Sequence, residues 1–227
     1  MTVLSRYRFD LRRAGARAAV ASPQRMHGLL CEAVFGPIPA EGTRPSEQSR
    51  LLWRLDRSPA EGAGALFLVS EKAPDADVLA AKLDGSADDL AARDYDTFLN
   101  SLAVGSTWRF RLRANPVRAI RQENGRSKRV PIVGVDAQEQ WLLSRCEEKW
   151  GFTVPLNRLG RPELVLAERT TSQFQRGESR VTLAGVQFDG ALEITDPERL
   201  VAALRGGVGS GKAYGLGLLT LAPLNRG

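Results

Sequence analysis

Twice along this chain of 227 residues the local signals run strand, helix, strand, strand, helix, strand, an order that few folds accommodate. Residues 2–9 read as a strand, followed by an Arg/Ala-rich loop. Ser22-Pro23 then supplies an N-cap and a proline at the first helical position. Met26, Leu29, Leu30, Ala33 and Val34 recur at i, i+3, i+4, i+7 and i+8, the stripe of a helix with one buried face, and Gly36-Pro37 stops it. Residues 51–55 and 65–70 read as strands, 75–83 as a short helix and 107–113 as a strand. In the second half, 129–133 is strand-like, and Asp136 with Glu139 resembles a capping box opening a helix that ends at Trp150-Gly151. Residues 164–167 and 180–194 are strand material, the latter broken at Asp189-Gly190, a hairpin dipeptide. Asp196-Pro197 caps a helix to Arg205, and 214–221 closes as a strand. The expectation is an α+β chain of two tandem ferredoxin-like (RRM-like) units with antiparallel sheets. Its seam is expected near Asn115-Pro116, giving domains 1–116 and 117–227.

Composition narrows the function. Lys and Arg number 32 against 26 Asp and Glu, a net charge of +6, which favours a polyanionic partner through counterion release. Basic proteins with no acidic partner share that excess, so charge alone decides nothing. One histidine and two cysteines, with no CxxC pair, cannot assemble the usual four-ligand zinc site, and no metal is assigned. A disulfide framework is equally excluded, which makes a reducing, cytoplasmic compartment the default. No apolar run approaches the ~20 residues of a membrane span, so no membrane is expected.

Three features could carry chemistry. In 108–113, Trp108, Phe110 and Leu112 share one strand face, and Arg109, Arg111 and Arg113 share the other. Cations about 7 Å apart, two strand rises, match the spacing of successive phosphates, although a solvated sheet face has the same pattern. Arg118, Arg121, Arg126, Lys128 and Arg129 lie close by in sequence and extend the basic run. The second feature, Gly206-Gly207-Val208-Gly209-Ser210-Gly211-Lys212-Ala213, nearly matches a phosphate-binding loop. Ala213 replaces the magnesium-binding hydroxyl, and the loop precedes a strand instead of a helix, so nucleotide hydrolysis is rejected and no nucleotide cofactor is expected. Gly209 and Gly211 still expose backbone N–H groups beside Lys212, where a nucleic-acid backbone could approach. The third is His27, at the edge of the helical stripe. Spacing alone suits a structural ring there; chemically, a neutral imidazole can take a 2′-hydroxyl proton as that oxygen attacks the adjacent phosphate, with no metal or cofactor.

Phe110-Arg111-Leu112-Arg113-Ala114-Asn115-Pro116 and the ending from Gly209-Ser210-Gly211-Lys212-Ala213-Tyr214-Gly215-Leu216-Gly217 to Leu221-Ala222-Pro223 resemble the CasE family, the endoribonucleases that process CRISPR RNA in type I-E systems. Leu51-Leu52-Trp53-Arg54-Leu55 and Gln187-Phe188-Asp189-Gly190 carry the likeness across nearly the whole chain. The resemblance implies binding of the CRISPR repeat stem-loop and cleavage at the 3′ base of the stem. It also implies a 2′,3′-cyclic phosphate end, retention of the product and partnership with other Cascade subunits. It places His27 as the catalytic histidine and the stretch 169–180, with Arg169, Arg176 and Arg180, as a basic hairpin gripping the stem. Gln24 and Glu32 stand where relatives carry a tyrosine and a lysine, which leaves the proton donor unassigned. A non-catalytic RNA-binding subunit of the same complex is the alternative reading. A third is an unrelated α/β protein whose glycine loop holds a small phosphate ligand.

Overall fold

The computed structural model describes residues 1–37, 51–121, 125, 127–176 and 179–224. They form two compact units, Met1–Ser101 with Lys212–Leu218, and Leu102–Gly211 with Leu219 onward.

The first unit runs β1 (Val3–Asp10), α1 (Ala14–Val20), α2 (Pro23–Phe35), β2 (Leu52–Ser58), β3 (Ala63–Ser70), α3 (Ala76–Leu83), β4 (Leu90–Asp94) and α4 (Asp96–Asn100). Its strands pair antiparallel in the order β2-β3-β1-β4, the ferredoxin-like arrangement. The alternating residues Tyr7, Leu66 and Leu68 meet Met26 and Leu30 of α2 and Leu79 and Leu83 of α3 in one core, and all seven are essentially inaccessible. The expected N-cap at Ser22 forms, its Oγ accepting from Arg25 N at 3.4 Å, and Asp75 caps α3, its Oδ1 accepting from Asp77 N at 2.9 Å. Two expectations change. The Arg/Ala-rich segment is a helix, α1, which buries Ala16 and Ala19 and ties to α3 where Gly15 N donates to Asp84 Oδ2 at 2.6 Å. The closing strand is β4, not 107–113. All but one of its residues are exposed, so it carries no apolar alternation to announce it.

The second unit comprises β5 (Thr107–Ala114), β6 (Val117–Arg121), β7 (Ser127–Pro131), α5 (Val135–Trp150), β8 (Phe152–Thr153), β9 (Leu164–Arg176), β10 (Ser179–Ile194), α6 (Pro197–Gly206) and β11 (Leu219–Pro223). The sheet order β11-β5-β10-β8, with β9 also on β10, makes β5 the first strand of this unit. That displaces the expected boundary at residue 116: the strand expected to close the first unit opens the second. Strand β7, expected to begin the second sheet, pairs among the described residues with β6, in a separate hairpin. Asp189-Gly190 is no turn either. Both residues lie inside β10, opposite Arg111 and Phe110, and a Cβ at Gly190 would collide with the Glu163 carbonyl oxygen, so glycine there serves strand approach. The capping box at Asp136 is absent; Gly134 is the N-cap of α5 and offers no side chain. The core is aromatic. Phe110 lies 5.8 Å from Phe152, and Trp141 lies 6.1 Å from Phe188, between ring centroids. Among the described residues no helix is long and apolar enough to cross a membrane.

Candidate active site

His27 sits in the second turn of α2, half-buried, with the Cys31 thiol one turn further along the same flank. Cys31 Sγ is 3.7 Å from Nε2 and 4.0 Å from Nδ1 of the imidazole, so sulfur lies beside the ring and limits its rotation. Burial lowers the His27 pKa below its ordinary value and raises that of Cys31. At neutral pH the pair is therefore an uncharged imidazole against an uncharged thiol, the state a general base requires. Beside it the surface is open: a Cβ at Gly28 would meet nothing within 4 Å.

Gln24 is exposed, and Glu32 is turned to α3, where its carboxylate lies 3.1 Å from Lys82 Nζ. Another neighbour of α2 comes from far along the chain. After Gly211, Lys212–Tyr214 form a short 3-10 turn that packs on α2 and β2. Two contacts pin this segment. Gly215 (φ 77°) lies against the Trp53 indole, where a Cβ would approach a ring carbon to 2.7 Å. Arg54, only 2% exposed, donates from Nη1 to the Leu218 carbonyl at 3.3 Å. The Arg54 charge is neutralised by Asp56, at 2.7 and 3.1 Å, and its guanidinium lies 5.1 Å from the Phe67 ring centre. A buried arginine inside an apolar strand was invisible as a support in the sequence. The one available signal was Asp56 two residues on, which places both side chains on one strand face.

The glycine-rich loop before that turn belongs to the second unit. A Cβ at Gly209 (φ 73°) would lie 3.6 Å from the Trp141 ring, and Ser210 Oγ accepts from Asn115 Nδ2 at 3.2 Å. Asn115 is buried, and its Oδ1 accepts from Ala184 N at 3.1 Å, so one side chain ties the end of β5 to β10 and to the loop. Sequence reading missed this role of Asn115. Gly211 is also left-handed (φ 86°), and Lys212 beyond it is half-buried.

The basic residues separate into two groups. On β5, Phe110, Leu112 and Ala114 are buried while the arginines alternate outward as expected. Arg111 is clamped by Asp189 (Nε–Oδ1 2.6 Å, Nη2–Oδ2 3.1 Å), and Arg113 reaches Glu168 at 3.3 Å and Thr170 Oγ1 at 3.2 Å. Their charges are thus already met by carboxylates. Lys128 and Arg129 on β7 and Arg169 on β9 are exposed. The β9–β10 hairpin pairs up to Arg176 opposite Ser179, with Arg180 opposite Gln175. The side chains of Arg176 and Arg180, and Arg126 altogether, lie outside the described residues.

Comparison with known proteins places the chain. A family model described as CRISPR associated protein matches residues 3–223. The CRISPR-associated endoribonuclease Cse3 of Thermus thermophilus is 36% identical over 214 residues, covering 92% of this chain and 93% of its own length. The CRISPR system Cascade subunit CasE of Escherichia coli is 33% identical over 132 residues, 54% of this chain and 61% of that protein. Among solved structures, Thermus thermophilus Cse3 bound to an RNA representing a pre-cleavage complex superposes with a TM-score of 0.76 at 32% identity, covering 98% of this chain and 99% of that one. A CRISPR endoribonuclease Cse3 bound to a 19-nucleotide RNA gives 0.74 at 31%, with 98% and 100% covered. With relatives matched at this identity over almost the entire length, the chain belongs to the CasE (Cse3) family of CRISPR-associated proteins.

Proposed function

We propose that this chain is an endoribonuclease that binds the stem-loop of a CRISPR repeat and cuts it at the 3′ base of the stem, with His27 as general base. The observation that carries the reading is the state of His27: a half-buried imidazole, kept neutral by burial, beside an open stretch of helix in a chain of this family. The neutral ring takes the 2′-hydroxyl proton, the freed oxygen attacks the adjacent phosphorus, and the P–O5′ bond breaks to leave a 2′,3′-cyclic phosphate. Exposed Lys128, Arg129 and Arg169 and the hairpin bearing Arg176 and Arg180 supply phosphate contacts. A major groove of A-form RNA is too narrow for ordinary side-chain reading, so the hairpin acts through the backbone or a widened groove. The product stays bound, and the other Cascade subunits are the protein partners, in the cytoplasm.

The chemistry is tested with a repeat hairpin in EDTA. Cleavage should continue, and a single 2′-deoxy substitution at the scissile nucleotide should stop it while leaving affinity nearly intact. Normal cleavage of the deoxy hairpin would rule out 2′-oxygen attack.

A further inference from the structure

If His27 takes a proton, a second group must return one to the departing 5′-oxygen. Arginines are poor proton donors at any ordinary pH, and Cys31, whose pKa is raised by burial, already stands against the ring. The position of α2 among its neighbours narrows the choice. Successive helical residues turn by about 100°, so His27 and Cys31 lie on one flank, while Ala33 and Glu32 lie roughly 120° and 140° away. The far flank faces α3: the Ala33 carbonyl accepts from Asp75 N at 2.8 Å and Glu32 pairs with Lys82. Helix α1 packs on both α2 and α3. Besides the sheet beneath it and helix α1, α2 also packs against the Lys212–Tyr214 turn, held in place by Trp53 and Arg54. That turn brings Lys212 to the helix that carries His27.

Resting on the endoribonuclease reading above, we propose that Lys212 is the general acid of the cleavage: its ammonium meets the charge that builds on the phosphorane oxygens and gives its proton to O5′ as the P–O5′ bond breaks. The proton count closes. The 2′-hydroxyl loses a proton to His27, the 2′-oxygen forms its bond to phosphorus, O5′ gains a proton from Lys212, and solvent exchange resets the imidazolium and the amine. Tyr214 on the same turn is the neutral competitor. Only lysine also brings positive charge to the phosphorane.

The test compares single-turnover rates on two hairpins, one ordinary and one with sulfur replacing the 5′-bridging oxygen at the scissile bond. A thiolate leaves without a proton, so loss of the acid is forgiven on the second hairpin. Lys212→Met should cut the ordinary hairpin roughly 100- to 10,000-fold more slowly and recover most of that loss on the sulfur hairpin. Lys212→Arg should bind normally, cut the ordinary hairpin slowly and recover likewise. His27→Ala should stay slow on both. Lys212→Met cutting the ordinary hairpin at the wild-type rate, or remaining equally slow on both hairpins, overturns the proposal. So does sulfur rescue in Tyr214→Phe without it in Lys212→Met. Wild-type protein that cuts neither hairpin would instead sink the endoribonuclease reading itself.

Discussion

The imidazole of His27 and the thiol of Cys31 form a contact whose consequence is measurable as a pH profile. Burial disfavours imidazolium in the folded protein, so the His27 pKa is lowered, and the neutral form persists to lower pH than in a free side chain. The single-turnover rate should therefore rise with pH and level off with a midpoint below the reference value of about 6.5. A midpoint above that value would mean that the titrating group is not a buried imidazole. Gly215 gives a second prediction at this scale. It combines a left-handed backbone with direct contact to a buried indole, whereas Gly209 has similar dihedrals but ordinary van der Waals distance to Trp141. Both alanine variants carry backbone strain of about 1–3 kcal/mol. Gly215→Ala should lose clearly more stability than Gly209→Ala in denaturant titrations, because Trp53 must also move. Equal losses would show that the indole yields freely.

At the scale of elements, two strands deploy arginine in different ways. Strand β2 uses Arg54 internally, as the clip that holds the Lys212–Leu218 segment against it. Removing one member of a buried pair leaves the other charge stranded, and Arg54→Ala should cost about 3 kcal/mol by denaturant unfolding. Cleavage should fall with it, since the turn beside α2 loses its anchor. Strand β5 turns Arg111 and Arg113 outward, but Asp189 and Glu168 already engage them. An exposed arginine on β9 such as Arg169 is the better phosphate ligand. Arg169→Gln should lower the salt slope of log affinity by about one, and Arg111→Gln by much less than one. The reverse order in fluorescence titrations at several salt concentrations would place the RNA on the β5 face.

At the scale of the whole molecule, the doubled element order was legible because its strongest carriers are local signals: the Ser22-Pro23 and Asp196-Pro197 caps and the stripe through Met26, Leu30 and Val34 all appear where periodicity put them. Strand partnership was not legible. Residues 107–114 alternate equally well as the last strand of one sheet or the first of the next, and only pairing with β10 and β11 decides. Strand β4 escaped notice because exposure left its sequence without alternation. Asp189-Gly190 looked like a turn because the same glycine that suits a turn also suits a crowded strand. At the site, His27 stood out as the one histidine, but its neighbours could not be read: the Lys212–Tyr214 turn is brought to α2 by tertiary contacts across nearly the full chain.

The account rests on His27 as the base, and one variant tests it most directly. For His27→Ala, melting temperature, hairpin affinity and single-turnover rate should be measured on the same preparation. Melting temperature and affinity should stay close to wild type, because a half-buried neutral ring makes few phosphate contacts, while the rate falls by roughly 100- to 10,000-fold. A folded variant that binds normally and still cuts at the wild-type rate would contradict the catalytic role. Parallel loss of melting temperature, affinity and rate would make His27 a structural residue instead.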